Sequence, residues 1–337
     1  MKKFLFLTIL LISITACSVH EHNVAQKTNA KIYAETITPD DLKTHLYLFS
    51  SDEFAGRDTG EFGQKLAAHY LRDFYKNLAI PSPINEGDYY QEIPSSYFQN
   101  KYKPSENVLA YIKGSEKPEE VIVISAHYDH IGVTANGDIN NGADDNGSGT
   151  VAILEIAEAF KMATNSGNGP KRSILFLHVT AEEKGLLGSK YYSENPIFPL
   201  ENTVANLNSD MIGRVDDAHQ NNPNYIYLIG SDKLSSELHN ISENINDSFT
   251  ALELDYRYNA DDDPNRFYYR SDHYNFAKHN IPVIFYFNGV HDDYHQPSDT
   301  PDKINYNLLS KRTQLIFYTA WELANRKERI IVDKATP

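Results

Sequence analysis

Six short apolar runs, each about the length of a β-strand, constrain the fold of this chain more than any other feature. Several of them are apolar at consecutive positions, so both faces of each strand would be buried, which is typical of a sheet covered by helices on both sides. The runs cover residues 107–112, 121–125, 173–180, 204–208, 225–229 and 282–287.

Segments with a helical spacing of apolar residues alternate with these runs. They cover residues 40–49, 60–78, 149–162, 186–193, 233–244, 272–279 and 304–326. The alternation predicts an α/β fold, a three-layer sandwich with a central, mostly parallel or mixed sheet covered by helices. No internal repeat and no Pro- or Ser-rich linker interrupts the sequence from 36 to 330, so we expect one domain over 36–330.

The first 35 residues have a different composition. A basic start, an apolar run and a group of small residues predict an export signal peptide over residues 1–16. Cys17 is the only cysteine, and Ile14-Thr15-Ala16-Cys17 resembles the lipobox of bacterial lipoproteins, in which the cysteine is acylated. The alternative is an ordinary cleavable signal with an incidental cysteine. Residues 17–35 are polar and lack hydrophobic periodicity, so we expect them to form a lipidated tether.

The charge of the chain limits its partners. It has 31 basic and 46 acidic residues, a net charge of −15, which repels nucleic acid and does not favour adsorption to anionic lipid. We therefore expect no nucleic-acid partner, and membrane attachment only through acyl chains at Cys17. The signal predicts an exported, periplasmic or cell-surface protein, and Ser18 favours the outer membrane if the cell has one.

Potential metal ligands follow four of the apolar runs. In open α/β sheets, ligands collect beyond the carboxyl ends of the strands. Any one such residue could simply be a polar residue leaving a strand, whereas four groups at one edge of a sheet indicate a metal site. The groups are His127-Tyr128-Asp129-His130 after the second run, Glu182-Glu183 after the third, Asp210 after the fourth, and a His- and Asp-rich loop that ends in His295 after the sixth.

A glycine-rich loop with two adjacent aspartates, residues 141–149, precedes one of the predicted helices. By itself this loop could be a calcium-like loop or merely a capped turn. Together with the strand-end ligands it offers a shared carboxylate, which two divalent ions about 3.5 to 4 Å apart require.

Seven short motifs occur in the order in which they succeed one another in the M28 family of metallopeptidases, which this chain resembles over most of residues 40–325. They are Asp52-Glu53-Phe54-Ala55-Gly56-Arg57, His127-Tyr128-Asp129, the segment Gly142-Ala143-Asp144-Asp145-Asn146-Gly147-Ser148-Gly149, Ala181-Glu182-Glu183-Lys184-Gly185-Leu186-Leu187-Gly188-Ser189, Asn208-Ser209-Asp210-Met211-Ile212-Gly213, Arg270-Ser271-Asp272-His273 and Tyr294-His295-Gln296-Pro297-Ser298-Asp299-Thr300.

The resemblance implies a site for two zinc ions per chain. Imidazole nitrogen and carboxylate oxygen, the donors of this set, both suit Zn²⁺. The peptide bond between Asp145 and Asn146 would be cis. The implied ligands are His127 and Asp210 for one ion, Glu183 and His295 for the other, and Asp145 as the bridge between them.

Other residues near the ligands have implied or expected roles. By the resemblance, Glu182 is the general base and Tyr294 donates a hydrogen bond to the oxyanion, with a core or rim role as the alternative for Tyr294. Arg270 would contact substrate, with a surface salt bridge near Asp272 as its alternative. Asp129 lies two residues beyond a ligand on an extended segment, so we expect its carboxylate to orient the imidazole of that ligand.

These features predict a zinc-dependent aminopeptidase that removes N-terminal residues from peptides with a free N-terminus. Two alternatives stay open. A glutaminyl cyclase would share the fold and much of the ligand pattern but use one zinc ion. A binding module with a peptidase fold would lack ligands or the base, and here none of them is missing.

Overall fold

The computed structural model describes residues 29–84 and 87–334. Eight strands in this part of the chain form one mixed sheet with the order β1-β2-β4-β3-β5-β8-β6-β7. The strands are β1 (Tyr90–Ile93), β2 (Ser105–Ile112), β3 (Lys117–His127), β4 (Arg172–Val179), β5 (Thr203–Ser209), β6 (Tyr225–Ile229), β7 (Glu253–Asp255) and β8 (Val283–Phe287).

Helices cover both faces of this sheet. Their bounds are α1 (Pro39–Phe49), α2 (Phe62–Asn77), α3 (Gly149–Asn165), α4 (Leu187–Glu194), α5 (Ser236–Ile245), α6 (His273–Ala277) and α7 (Tyr306–Asn325). Helix α1 begins after Thr38, whose side chain accepts a hydrogen bond from the backbone N–H of Asp41, and has a proline in its first turn. The backbone N–H groups of the first turn have no partner within the helix. The Thr38 side chain satisfies one of them, and the proline has no N–H to satisfy.

Alternate residues of the central strands point into two separate cores. In β3, Ile122 and Ile124 pack with residues of α1, α2, α3, α5 and α7 on one face. Val121 and Val123 pack on the other face with residues that include those of α4 and α6. The strands are therefore apolar at consecutive positions because both faces of the sheet are covered, as the sequence predicts.

The predicted α/β sandwich is confirmed, and each predicted strand and helix is present with ends shifted by a few residues. The sequence did not predict β1 and β7. Both lie at the edges of the sheet, where β1 pairs antiparallel with β2 and β7 pairs parallel with β6. They are short and partly exposed, so they lack the apolar pattern that reveals the central strands.

The tether predicted over 17–35 is wrong in its last part. Residues 29–34 are helical. Ala30 and Ala34 are buried, and the Tyr33 ring stacks on Trp321 of α7 at 5.7 Å. These three apolar residues, at positions i, i+3 and i+4, bury one side of this short helix, a pattern too brief to stand out in a polar segment.

The predicted signal peptide and Cys17 lie outside the described residues. Within the described ranges, no helix is both long and apolar enough to cross a membrane.

Candidate metal centre

The four central strands bring the predicted ligands together. β4, β3, β5 and β8 are neighbours and run parallel to one another, so their carboxyl ends lie side by side. His127 is the last residue of β3, Asp210 directly follows β5, and the other groups lie in the loops after β4 and β8. The sheet topology thus gathers residues that are far apart in the sequence at one edge.

The imidazoles of His127 and His295 each face two carboxylates through a single nitrogen. His127 Nε2 lies 3.3 Å from Asp145 Oδ1 and 3.4 Å from Asp210 Oδ1. His295 Nε2 lies 3.0 Å from Asp145 Oδ2 and 3.2 Å from Glu183 Oε2. Asp145 therefore presents one oxygen to each histidine, between two groups of converging nitrogen and oxygen atoms.

The donor chemistry of the cluster fits zinc. Among the residues that the structure describes, two groups of side chains each have ligand atoms that lie within 4.8 Å of one another. They consist only of imidazoles and carboxylates, which are zinc donors. The two groups are His127, Glu182 and Asp210, and His130, Asp145 and Glu183.

The electrostatics of the cluster are dominated by its carboxylates. Burial lowers the pKa of His127, but Asp210 and Glu182 outweigh this effect and raise the pKa well above its usual range. Burial raises the pKa of Asp145, but its hydrogen bond with His127 and the charges of the nearby imidazoles hold the pKa well below its usual range. The site thus favours positive charge, which a bound cation would also supply.

Hydrogen bonds from two other parts of the chain hold the loop that carries Asp145. The Asp145–Asn146 peptide bond is cis, as the resemblance implies. The Asn146 amide donates to Ser209 O at 2.9 Å and so ties the loop to the end of β5. The carboxylate of Asp299 accepts hydrogen bonds from the backbone N–H groups of Asp144 and Asp145 at 2.9 to 3.1 Å. Asp299 lies in the motif that contains His295, so the loop after β8 also holds the bridging carboxylate in place.

Arg57 supports the same loop from the amino-terminal part of the chain. Its side chain is fully buried and donates to the carbonyl oxygens of Tyr128, Asn141 and Gly142 at 2.7 to 2.9 Å. Burial lowers the pKa of this guanidinium to about 10, while nearby carboxylates oppose the shift. Sequence reasoning had quoted the Arg57 motif without giving it a role.

Asp129 supports the site through other atoms than the sequence predicts. The Nδ1 atom of His127 hydrogen-bonds the backbone oxygen of Asp129 at 3.0 Å, while the nearer Asp129 carboxylate oxygen lies 3.8 Å away. The carboxylate instead accepts hydrogen bonds from Thr59 Oγ1 at 3.0 Å and from the backbone N–H of Glu182 at 3.1 Å. The predicted carboxylate–imidazole bond is therefore absent, because the chain turns after β3 and brings the carbonyl of Asp129 to the ring.

Glu182, Tyr294 and Arg270 line a pocket that opens onto the cluster. Burial and the charges of Asp272 and Asp210 raise the pKa of Glu182 well above its usual range, against the opposing charge of His127. The remaining wall of the pocket is apolar and consists of Met211, Phe267, Phe285, Phe287 and Val290.

The two residues at the pocket rim differ in their environment. The Tyr294 ring stacks on His295 at 3.9 Å, and burial together with the nearby carboxylates raises the pKa of Tyr294, so its hydroxyl stays protonated. Arg270 is exposed, and its guanidinium lies 4.7 Å from the centre of the Phe267 ring. The alternative role predicted for Arg270 was a surface salt bridge near Asp272. Asp272 is fully buried and therefore does not lie on the surface.

Two further residues, which the sequence motifs contain but to which no role was assigned, contact the predicted ligands. Ser271 donates a hydrogen bond to Asp210 Oδ2 at 2.7 Å and leaves Oδ1 toward His127. His130 is fully buried, and its Nδ1 lies 2.8 Å from Glu183 Oε1. The signal for His130 was its place one residue after Asp129 at the same strand end.

A mixed sheet between helical layers, with histidines and carboxylates at the carboxyl ends of its parallel strands, defines the zinc-exopeptidase class of folds. The model of the family "Peptidase family M28" matches residues 107–320. The chain belongs to this family, and the predicted resemblance is confirmed.

Comparisons with known proteins agree with this assignment. A probable leucine aminopeptidase of Trichophyton verrucosum is 27% identical over 312 residues, which cover 90% of this chain and 78% of the relative. The LapA aminopeptidase of Legionella pneumophila superposes with a TM-score of 0.69 at 24% identity, over 90% of this chain and 75% of LapA.

Two more distant structures share the fold alone. BSAP, a zinc aminopeptidase from Bacillus subtilis, superposes with a TM-score of 0.65 at 16% identity, over 89% of this chain and 99% of BSAP. A glutaminyl cyclase of Bacteroides thetaiotaomicron gives a TM-score of 0.65 at 17% identity, over 87% and 99% of the two chains. The fold therefore does not separate the hydrolase from the cyclase, and the side chains of the site must do so.

Proposed function

We propose that this chain is a zinc aminopeptidase that uses two metal ions per chain to hydrolyse the N-terminal residue from peptides. One observation carries the proposal. Two histidine nitrogens each converge with two carboxylate oxygens, and the oxygens of Asp145 are divided between them. Such an arrangement suits two cations that share a bridging anion. Membership of the M28 family supports a metallo-exopeptidase.

In this proposal His127 and Asp210 would hold one ion, Glu183 and His295 would hold the other, and Asp145 would contribute an oxygen to each. Zinc would supply a Lewis acid for the scissile carbonyl. Glu182, whose pKa is raised by burial, would accept a proton from the attacking water and pass it to the departing amine. The protonated hydroxyl of Tyr294 would donate a hydrogen bond to the oxygen that becomes negative. Asp129 would hold the backbone of Glu182 in place.

The pocket suggests which residues are removed. Its acidic side would accept the ammonium group of a free N-terminus. Its other wall contains three phenylalanine rings, with Phe267 and Phe285 at 4.9 and 5.2 Å from Phe287, so a large apolar side chain would displace the most water there. We therefore expect a preference for leucine or phenylalanine at the N-terminus, in line with the names of the leucine aminopeptidase relatives. Arg270, at the pocket rim, would contact the rest of the substrate.

The test is the hydrolysis of a panel of aminoacyl-p-nitroanilides by the wild type and by Glu182→Gln, after chelation and again after zinc is restored. We expect zinc-dependent release from the leucine and phenylalanine substrates and a folded but inactive variant. Cyclisation of N-terminal glutamine at one bound zinc ion, with no hydrolysis of the panel, would instead establish a glutaminyl cyclase. If the wild type binds peptides but turns over neither type of substrate, it is a binding module.

We also propose that the chain is exported and attached to a membrane by acyl chains at Cys17, with no nucleic-acid partner. Membrane fractions from cells with the wild type should contain the protein, and Cys17→Ala should release it into the soluble fraction. A wild type that is wholly soluble would favour an ordinary cleaved signal.

A further inference from the structure

We propose that His130 is a positioning residue that holds the carboxylate of Glu183 so that only one of its oxygens is offered to a metal ion. The inference rests on the two-metal function proposed above and adds a residue to it.

The two oxygens of Glu183 face different histidines. His130 Nδ1 lies 2.8 Å from Oε1, a close polar contact. His295 Nε2 lies 3.2 Å from Oε2 and also 3.0 Å from Asp145 Oδ2. Oε2 therefore belongs to the converging group around His295, whereas Oε1 faces the imidazole of His130.

The His130 ring is held in this orientation by its surroundings. Its side chain is fully buried, and its backbone N–H donates to Arg57 O at 3.2 Å. Gly142 packs so closely against the ring that a Cβ atom at that position would lie 2.6 Å from His130 Cδ2. Gly142 is also the residue whose carbonyl binds Arg57. Arg57 thus binds both the backbone of His130 and the loop that contains Gly142, and so holds the two in a fixed relation.

A direct metal ligand is the competing role for His130, because its ring, Asp145 and Glu183 have ligand atoms within 4.8 Å of one another. The distances favour positioning. His130 Nδ1 lies 3.8 Å from the nearest oxygen of Asp145, whereas His295 Nε2 lies 3.0 Å from it. His295 is thus the histidine that shares the bridging carboxylate. Removing the side chain that contacts a metal-binding residue from outside typically weakens metal affinity by about 10 to 100-fold.

The experiment measures zinc stoichiometry and the two dissociation constants, by competition with a chelator, for the wild type, His130→Asn and His130→Leu. The asparagine amide can take the place of Nδ1 as donor, whereas leucine has a similar volume and no donor. We expect His130→Asn to bind both ions within a few-fold of the wild type. His130→Leu should bind the ion at Glu183 and His295 about 10 to 100-fold more weakly and still reach two ions at saturation. It should bind the ion at His127 and Asp210 as the wild type does.

Three controls make the outcome decisive. His178→Leu removes another fully buried histidine, whose Nε2 contacts Tyr75 OH at 2.7 Å, and should leave both zinc constants unchanged. If His130→Leu does not fold, His130→Gln, whose amide reaches the Nε2 position instead, replaces it. His295→Ala shows what the loss of a direct ligand does to the stoichiometry.

Two results would overturn the proposal. One is a His130→Leu protein with wild-type zinc constants. The other is a His130→Leu protein that binds only one ion at saturation while His295→Ala still binds two, which would make His130 the ligand. A wild type that itself binds fewer than two ions would refute the two-metal function, and this outcome is separate from both.

Discussion

Two buried clusters of histidines and carboxylates in this protein look similar in composition and differ in geometry. In the metal centre, Asp145 and Asp210 both face the same nitrogen of His127, at 3.3 and 3.4 Å. In the second cluster, which we call the His219 cluster (Asp216, His219, Tyr227, Asp255 and Arg257), each ring nitrogen of the histidine has its own carboxylate. His219 Nδ1 lies 2.8 Å from Asp216 Oδ1, and Nε2 lies 3.3 Å from Asp255 Oδ2.

The remaining atoms of the His219 cluster are also paired. Tyr227 donates to Asp216 Oδ2 at 2.6 Å, Arg257 binds Asp255 at 2.6 to 2.7 Å, and the Tyr225 ring stacks on the imidazole at 3.5 Å. In the His219 cluster each ring nitrogen of the histidine contacts a different carboxylate, so the contacts form a chain. In the metal centre, two carboxylate oxygens contact the same imidazole nitrogen. A single imidazole nitrogen cannot donate one proton well to two oxygens, so convergence indicates a ligand site and chain-like pairing indicates a structural one.

The largest effect that separates the two clusters is expected at Glu182. Glu182→Gln should lower kcat by about 10² to 10⁴-fold, because the variant has no group to take the proton from water. The side chain lines the pocket, so the free energy of unfolding should change little. Steady-state kinetics and urea denaturation measure the two quantities. A variant with kcat close to that of the wild type would contradict the role of the base.

Asp216→Asn should show the opposite pattern. It removes the charge of the carboxylate that His219 and Tyr227 contact in the buried cluster, and hydrogen bonds to a charged group contribute about 1.5 to 3 kcal/mol. We expect a fall of that size in the free energy of unfolding, with kcat within a few-fold of the wild type. If kcat falls by more than about tenfold in the fully folded variant, the His219 cluster is not purely structural.

Zinc should stabilise the protein only through the metal centre. At a free zinc concentration about 100 times the dissociation constant, binding to one site adds about 2.7 kcal/mol to the free energy of unfolding. Asp216→Asn should gain as much as the wild type, whereas Asp145→Asn, which changes the bridge, should gain much less. Thermal unfolding with and without zinc measures this difference, and an equal gain in Asp145→Asn would place the bound zinc elsewhere.

His178 provides the smallest effect and a case without a carboxylate partner. Burial lowers the pKa of His178 to about 3, against the value of 6.5 in the unfolded chain. As the pH falls below 6.5, the unfolded state takes up the proton first, so this group should reduce the free energy of unfolding by about 1.4 kcal/mol per pH unit until its folded pKa is reached.

His178→Gln keeps an amide near Tyr75 and removes the titrating group. Between pH 6.5 and 5.5 its free energy of unfolding should therefore fall less than that of the wild type. Denaturation at the two pH values gives the comparison, and equal slopes for the two proteins would show that His178 has the same pKa in the folded and unfolded states.

The six strands between the edge strands β1 and β7, the helices and the strand-end ligands could be predicted from the sequence because each depends on neighbouring residues. Ile122 and Val123 belong to different cores, yet both are apolar, and this reveals a strand buried on two faces. The order of the motifs then placed His127, Asp210 and His295 at one edge of the sheet. The helical packing of residues 29–34 was missed because only three apolar residues mark it.

The partners of the site residues were decided by the tertiary structure. Arg57 reaches loop 141–142 across more than 80 positions of the chain, and Asp299 reaches the backbone of Asp145 across more than 150. His130 contacts Glu183, while the carboxylate of Asp129 turns away from His127 toward Glu182. Residue types and spacing tell which side chains can bind a metal, because that depends on donor chemistry. Which oxygen meets which nitrogen depends on how loops from different strands pack together, and no local pattern in the sequence contains that information.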